Sequence, residues 1–183
     1  MHPTLLLLQA RYPEDPARKE ELDSFTQKLR LPPAQVRTYD LLEGPPSLER
    51  VLSHDAVMMG GSGEFYVSKG NLPGFQELLG LLKTVAEMGH PMFASCFGFQ
   101  CLVEALGGEI FHDPKNTEVG TYEVSLTNAG RDDPLLGCMP DSFAAQLGRK
   151  DRASRLPEGV PNLALSKASP YQAFRLPGKP VWA

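Results

Sequence analysis

The sequence lacks any apolar run long enough to cross a bilayer. The aliphatic start, Leu5 to Leu8, is far short of the roughly 20 residues a membrane helix needs. It also lacks the charged front and small-residue cleavage site of a signal peptide. A basic excess is missing too: 18 Lys and Arg stand against 22 Asp and Glu, a net charge of −4. Attraction to nucleic acid or an anionic membrane is therefore not expected, which leaves small molecules or another protein as partners. Cysteine is scarce. Cys96, Cys101 and Cys138 are odd in number and form no CxxC pair, so reduced thiols in a cytoplasmic protein are expected. The four histidines, His2, His54, His90 and His112, show no metal-ligand spacing with one another or with cysteine. No metal and no cofactor are expected.

What is present is an alternation of two periods. Thr4 to Ala10 is a continuous apolar run of strand length, the pattern of a strand covered on both faces. Asp15 and Pro16 read as the N-cap and first position of a helix with Leu22, Phe25 and Leu29 on one face. A second strand follows in "AQVRTYDLL", and Ser47 caps a short helix through Leu52. Asp55 to Gly61 is a third buried strand that runs into a glycine-rich loop. Phe75, Leu78, Leu79, Leu82, Val85 and Ala86 then mark an amphipathic helix closed by Gly89. "PMFAS" is the fourth strand, and the helix after it carries Phe99, Leu102, Val103 and Leu106.

This order predicts an α/β fold: a mostly parallel central sheet, helices on both faces, and ligands at the C-terminal ends of the strands. From Glu109 onward the periodic segments are short, with a possible helical turn only near residues 133–136, which predicts antiparallel strands in the C-terminal half. With no linker or repeat, residues 1–183 read as one domain.

Cys96 falls at the junction of a strand and a helix, with Gly98 two positions on. A sharp turn there exposes the side chain at the edge of the sheet, and the helix start favours thiolate. A free cysteine is more often a small buried hydrophobe, and Cys101 and Cys138 are read that way.

The stretch "CFGFQ" resembles the Cys-x-Gly-x-Gln motif of class I glutamine amidotransferases. "MMGGSGEF", "EALGGEI", "EVGTYEVSLT" and "LPEGVPNLALSKASPYQAF" are similar, in the same order, to stretches of the free-standing domains related to the glutaminase domain of GMP synthetase. The resemblance implies a flavodoxin-like sheet and hydrolysis of the glutamine side-chain amide through a thioester on Cys96. It implies backbone N–H groups of Gly61 and Phe97 as oxyanion donors, with Gly60 and Gln100 contacting the substrate. Without the resemblance, Gly60 and Gly61 would read equally well as a tight turn and Gln100 as a half-exposed helix residue. Glu118 resembles a position near the family's site, though a solvated loop carboxylate is the simpler reading.

Two departures stand out. The family's base is a histidine in a C-terminal "HPE" after a short strand; "GKPVWA" supplies the strand, but "HPE" is absent from the sequence. The chain is therefore expected to stop just before its catalytic His and Glu, and to be inactive as it stands. His2, His54 and His90 each precede a strand, at the wrong end of the sheet, and His112 reads as a surface residue of an edge turn. The second departure is Arg149, which occupies a histidine position in "QLGRKD". It is a candidate contact to the substrate carboxylate, against the simpler reading of residues 149–152 as a solvated turn. Three functions follow: a glutaminase-type amidotransferase feeding ammonia to a separate synthetase, an inactive binding or regulatory subunit, or a cysteine hydrolase of other γ-glutamyl compounds.

Overall fold

The computed structural model describes residues 3–183; the expectation for His2 lies outside them. Five parallel strands form the central sheet in the order β11-β4-β3-β1-β2. They are β1 (Leu5–Ala10), β2 (Val36–Asp40), β3 (Ala56–Ser62), β4 (Met92–Ala94) and β11 (Val181–Trp182). Between them run α1 (Pro16–Leu29), α2 (Leu48–Leu52), α3 (Phe75–Met88) and α4 (Phe97–Ala105).

The side-chain alternation of β1 and β3 assigns the faces. Leu5, Leu7 and Met58 pack with Leu22 and Phe25 of α1. Leu6, Leu8, Val57 and Met59 pack with Leu78 and Leu82 of α3 and Leu102 of α4. Both faces are thus covered, which is why β1 is apolar at nearly every position. The expected caps are in place: Asp15 accepts from the Ala17 N–H, Ser47 from Arg50, and Gly89 closes α3 in the left-handed region at φ 71°. Leu29 departs from expectation. It is exposed at the last position of α1.

Apart from β11, the strands of the C-terminal half pair antiparallel, as expected. One sheet is β10-β9-β6-β7, built from β6 (Glu118–Leu126), β7 (Ser142–Arg149), β9 (Asn162–Ser166) and β10 (Ala173–Phe174). A second pairs β5 (Glu109–His112) with β8 (Asp151–Arg155). The helical turn expected at 133–136 is displaced to either side of it, into α5 (Asn128–Arg131) and a 3-10 turn at Leu136–Cys138. Between them Asp133 accepts from the Leu135 and Leu136 N–H groups and from Trp182 Nε1, tying that segment to β11. Among the described residues no helix is long and apolar enough to cross a membrane.

Candidate active site

Because the central strands are parallel, their C-terminal ends lie along one edge, and Cys96 stands there between β4 and α4. It is a non-glycine residue at φ 55°, ψ −110°, a strained apex that few residue types occupy. Gly98 explains how the turn closes: a Cβ there would lie 2.6 Å from the Met59 carbonyl oxygen of β3, so only glycine lets α4 start so close to the sheet.

Solvent reaches Cys96 through two cavities that share it. The more polar one, of about 220 Å³, is lined by Ser62, Tyr66, Gln100, Arg149 and Asp151 together with Phe65 and Val119. A larger one of about 360 Å³, more apolar, is lined by Phe93, Phe99, Leu135, Leu136, Trp182 and Ala183 among others. Cys96, Gly148 and Arg149 belong to both.

Protein packed around the turn removes enough water to push the Cys96 thiol above its ordinary pKa. A hydrogen bond from the Phe97 N–H and the nearby guanidiniums of Arg149 and Arg11 act in the opposite direction without prevailing. The expectation that the helix start would favour thiolate is thereby corrected: desolvation outweighs it. Cys101 is buried as expected, whereas Cys138 is exposed, with its Sγ 3.1 Å from the Leu135 carbonyl.

Phe97 is buried at the first position of α4, directly after Cys96, and its backbone N–H acts to lower the pKa of the thiol. Gly61 lies against the thiol, since a Cβ on it would be 3.8 Å from Sγ, but its N–H donates to Glu21 Oε1 at 2.9 Å. Gly60 faces the same carboxylate, and a Cβ on it would be 2.0 Å from Glu21 Oε1. Gln100 is buried rather than half-exposed; its Nε2 donates to the Asp151 carbonyl at 2.8 Å while the residue lines the polar cavity.

The solvated-turn reading holds for Lys150, an exposed bend residue, and is overturned for Arg149, Asp151 and Arg152. Arg149 ends β7 and Asp151 opens β8. Arg149 Nε donates to Glu118 Oε2 at 2.9 Å, and Nη2 reaches the same oxygen. Glu118 is itself 1% exposed, its other oxygen accepting from Ser166 Oγ at 2.6 Å, so it is no solvated loop carboxylate. Two buried β-strand ends facing each other place both groups inside, where neither would be stable without the other. Arg152 pairs with Asp113.

Asp151 is a hub that sequence reasoning missed. Its carboxylate accepts from the Ser68 N–H at 3.0 Å and Ser68 Oγ at 2.9 Å, and lies 2.8 Å from His112 Nδ1. His112 is therefore more than an edge-turn residue, yet it stands behind Asp151 and lines neither cavity at Cys96. His54 and His90 precede β3 and β4, at the far edge of the sheet, as expected. Arg11 and Glu21 were also missed. The one available signal was a charged residue directly after a buried strand, at the edge where ligands bind. Among the described residues no cluster of His, Cys, Asp or Glu has the form of a metal site.

Comparison with known proteins agrees with this geometry. A family model, glutamine amidotransferase class-I, matches residues 37–182. The chain is 34% identical over 91 residues to a glutamine-hydrolyzing GMP synthase of Thermosipho africanus, an alignment covering 50% of this chain and 17% of that protein. With the GMP synthase of Aquifex aeolicus it shares 27% over 115 residues, covering 63% and 20%. The chain thus matches about a fifth of the length of these relatives. Among solved structures, a glutamine amidotransferase of Thermotoga maritima superposes with a TM-score of 0.75 at 18% identity, covering 100% of this chain and 74% of that one. One from Methylobacillus flagellatus gives 0.73 at 19%, covering 96% and 66%. With the family model spanning most of the sequence and the fold shared, the chain belongs to the class I glutamine amidotransferase family, and within it is similar to part of GMP synthase.

Proposed function

We propose that the chain is the glutaminase part of an amidotransferase, with Cys96 as nucleophile. The observation that carries this reading is the strained Cys96 apex in the wall between two cavities, with Phe97 opening α4 beside it and Gly61 against its sulfur. The thiolate attacks the side-chain amide carbon of glutamine, and the negative charge moves onto the former carbonyl oxygen. The N–H groups of Phe97 and Gly61 are the donors for that oxyanion. The carbon–nitrogen bond then breaks, the nitrogen takes a proton and leaves as ammonia, and a glutamyl thioester remains. Water hydrolyses the thioester to glutamate and restores the thiol. Glutamine occupies the more polar cavity, where Gln100 shapes its binding and Arg149 faces its carboxylate; Gly60, on the face of β3 turned to α1, is not part of that wall.

No histidine among the described residues lines either cavity. A raised thiol pKa makes the need for a base sharper. The base that this reading needs is therefore not a histidine of either cavity wall among the described residues. Ammonia then passes to a separate synthetase, as the similarity to GMP synthase suggests.

Glutamine-dependent ammonia release by the full-length gene product tests this reading. Cys96→Ala is expected to lower it about 10³-fold or more, and a variant retaining activity removes Cys96 as nucleophile. A second reading, an inactive binding or regulatory subunit, is favoured by one observation: the Gly61 N–H is already engaged by Glu21. It predicts glutamine binding without ammonia release.

A further inference from the structure

We propose that Glu21 is a latch on the oxyanion site, holding the Gly61 N–H out of it, and that reaction at Cys96 requires this contact to let go. The inference rests on the reading of Gly61 as an oxyanion donor and adds a control element to it. Strand alternation assigns Gly60 to the face of β3 covered by α1, with Met58, and Gly61 to the face of α4, with Met59 and the Cys96 sulfur. The Gly61 N–H nevertheless reaches a carboxylate carried by α1.

That carboxylate is held from several directions. Oε1 accepts from Gly61 at 2.9 Å, Oε2 accepts from Gln9 Nε2 at 3.1 Å, and Arg11 Nε lies 3.9 Å from Oε1. Gln9 is buried and fixed in turn by donating to the Arg18 carbonyl at 2.8 Å. The absent side chain of Gly60 admits this carboxylate; any Cβ there would collide with Oε1.

An amide N–H bonded to a carboxylate is a poor donor for a second anion, so in this arrangement only Phe97 faces the developing charge. Both ends of the device have somewhere to go. The Gly60-Gly61 peptide can rotate where other residues could not. The Glu21 carboxylate has Arg11 at hand, whose Nη2 lies 2.9 Å from the position of a Gly61 Cβ. Glutamine or a partner that draws Glu21 onto Arg11 would complete the oxyanion site.

The test compares two labels of Cys96, followed by intact mass, on the chain carrying Cys138→Ser so that the second exposed thiol does not react. One is the diazoketone analogue of glutamine, whose thioether-forming reaction expels dinitrogen and whose carbonyl is polarised by the oxyanion donors; the other is iodoacetamide, which needs no such donor. Relative to iodoacetamide, Glu21→Ala is expected to speed the analogue by about tenfold or more, the worth of a charge-assisted hydrogen bond. Glu21→Gln should give a smaller gain. An unchanged ratio in both variants, each shown folded by thermal unfolding, overturns the latch while analogue labelling still supports the site. Iodoacetamide labelling of Cys96 with no analogue labelling in any form overturns the glutaminase reading and the latch together. A crystal structure of the parent's analogue adduct is an independent check: the Gly61 N–H is expected on the adduct oxygen, and finding it still on Glu21 overturns the proposal.

Discussion

At the scale of the residue, the site is defined by what two small residues allow. Gly98→Ala would drive a Cβ into the Met59 carbonyl, a rigid backbone atom, and a loss of about 1–3 kcal/mol is expected from urea unfolding. Its cost should be accompanied by slower labelling of Cys96, because the turn and the thiol share one backbone. A buried thiol also makes a pH prediction. Burial raises the Cys101 thiol well above its ordinary value, so the fold holds that proton more firmly than the unfolded chain does. As pH rises the unfolded state therefore loses this proton first. The stability involved is fully present below the unfolded thiol's pKa and is lost as pH climbs toward the folded value. Urea midpoints should fall at alkaline pH, and fall less steeply in Cys101→Ala. The "CFGFQ" signature made Cys96 and Gly98 legible, since a glycine two positions after a strand-end cysteine has a steric cause. Glu21 was illegible: it lies on a largely polar helix whose spacing gives no hint that one carboxylate turns inward.

At the scale of the element, the wall of the site depends on two strand ends meeting. Glu118 opens β6 and Arg149 closes β7, paired in register, and Ser166 of β9 caps the carboxylate. Glu118→Ala would leave a largely buried guanidinium unpaired, at a cost of about 3–5 kcal/mol in unfolding free energy. Loss of the Arg149 position should weaken glutamine binding in the same variant, measured by calorimetry. The central strands and their helices were readable because each buries an apolar stripe of fixed period. The segment from Arg149 to Arg152 was not. Its charges suggest a solvated turn, but the chain passes there from β7 into β8, and its arginines pair with residues far away in sequence, Glu118 and Asp113. Pairing at long range leaves no local pattern to read.

At the scale of the molecule, the parallel sheet brings the ends of β1, β3, β4 and β11 to one edge and sets Cys96 among them. The 183-residue chain is expected to release little ammonia from glutamine by coupled dehydrogenase assay, because no histidine among the described residues lines either cavity at Cys96; rapid turnover would require another group there to act as base. The partition at Cys96 has one more consequence. The polar and apolar cavities meet only at a short wall that includes Cys96, Gly148 and Arg149. A compact apolar compound seated against Phe99, Leu136 and Trp182 would leave room for glutamine on the other side. Such an inhibitor would lower the maximal rate without raising the apparent KM, and excess glutamine would not displace it.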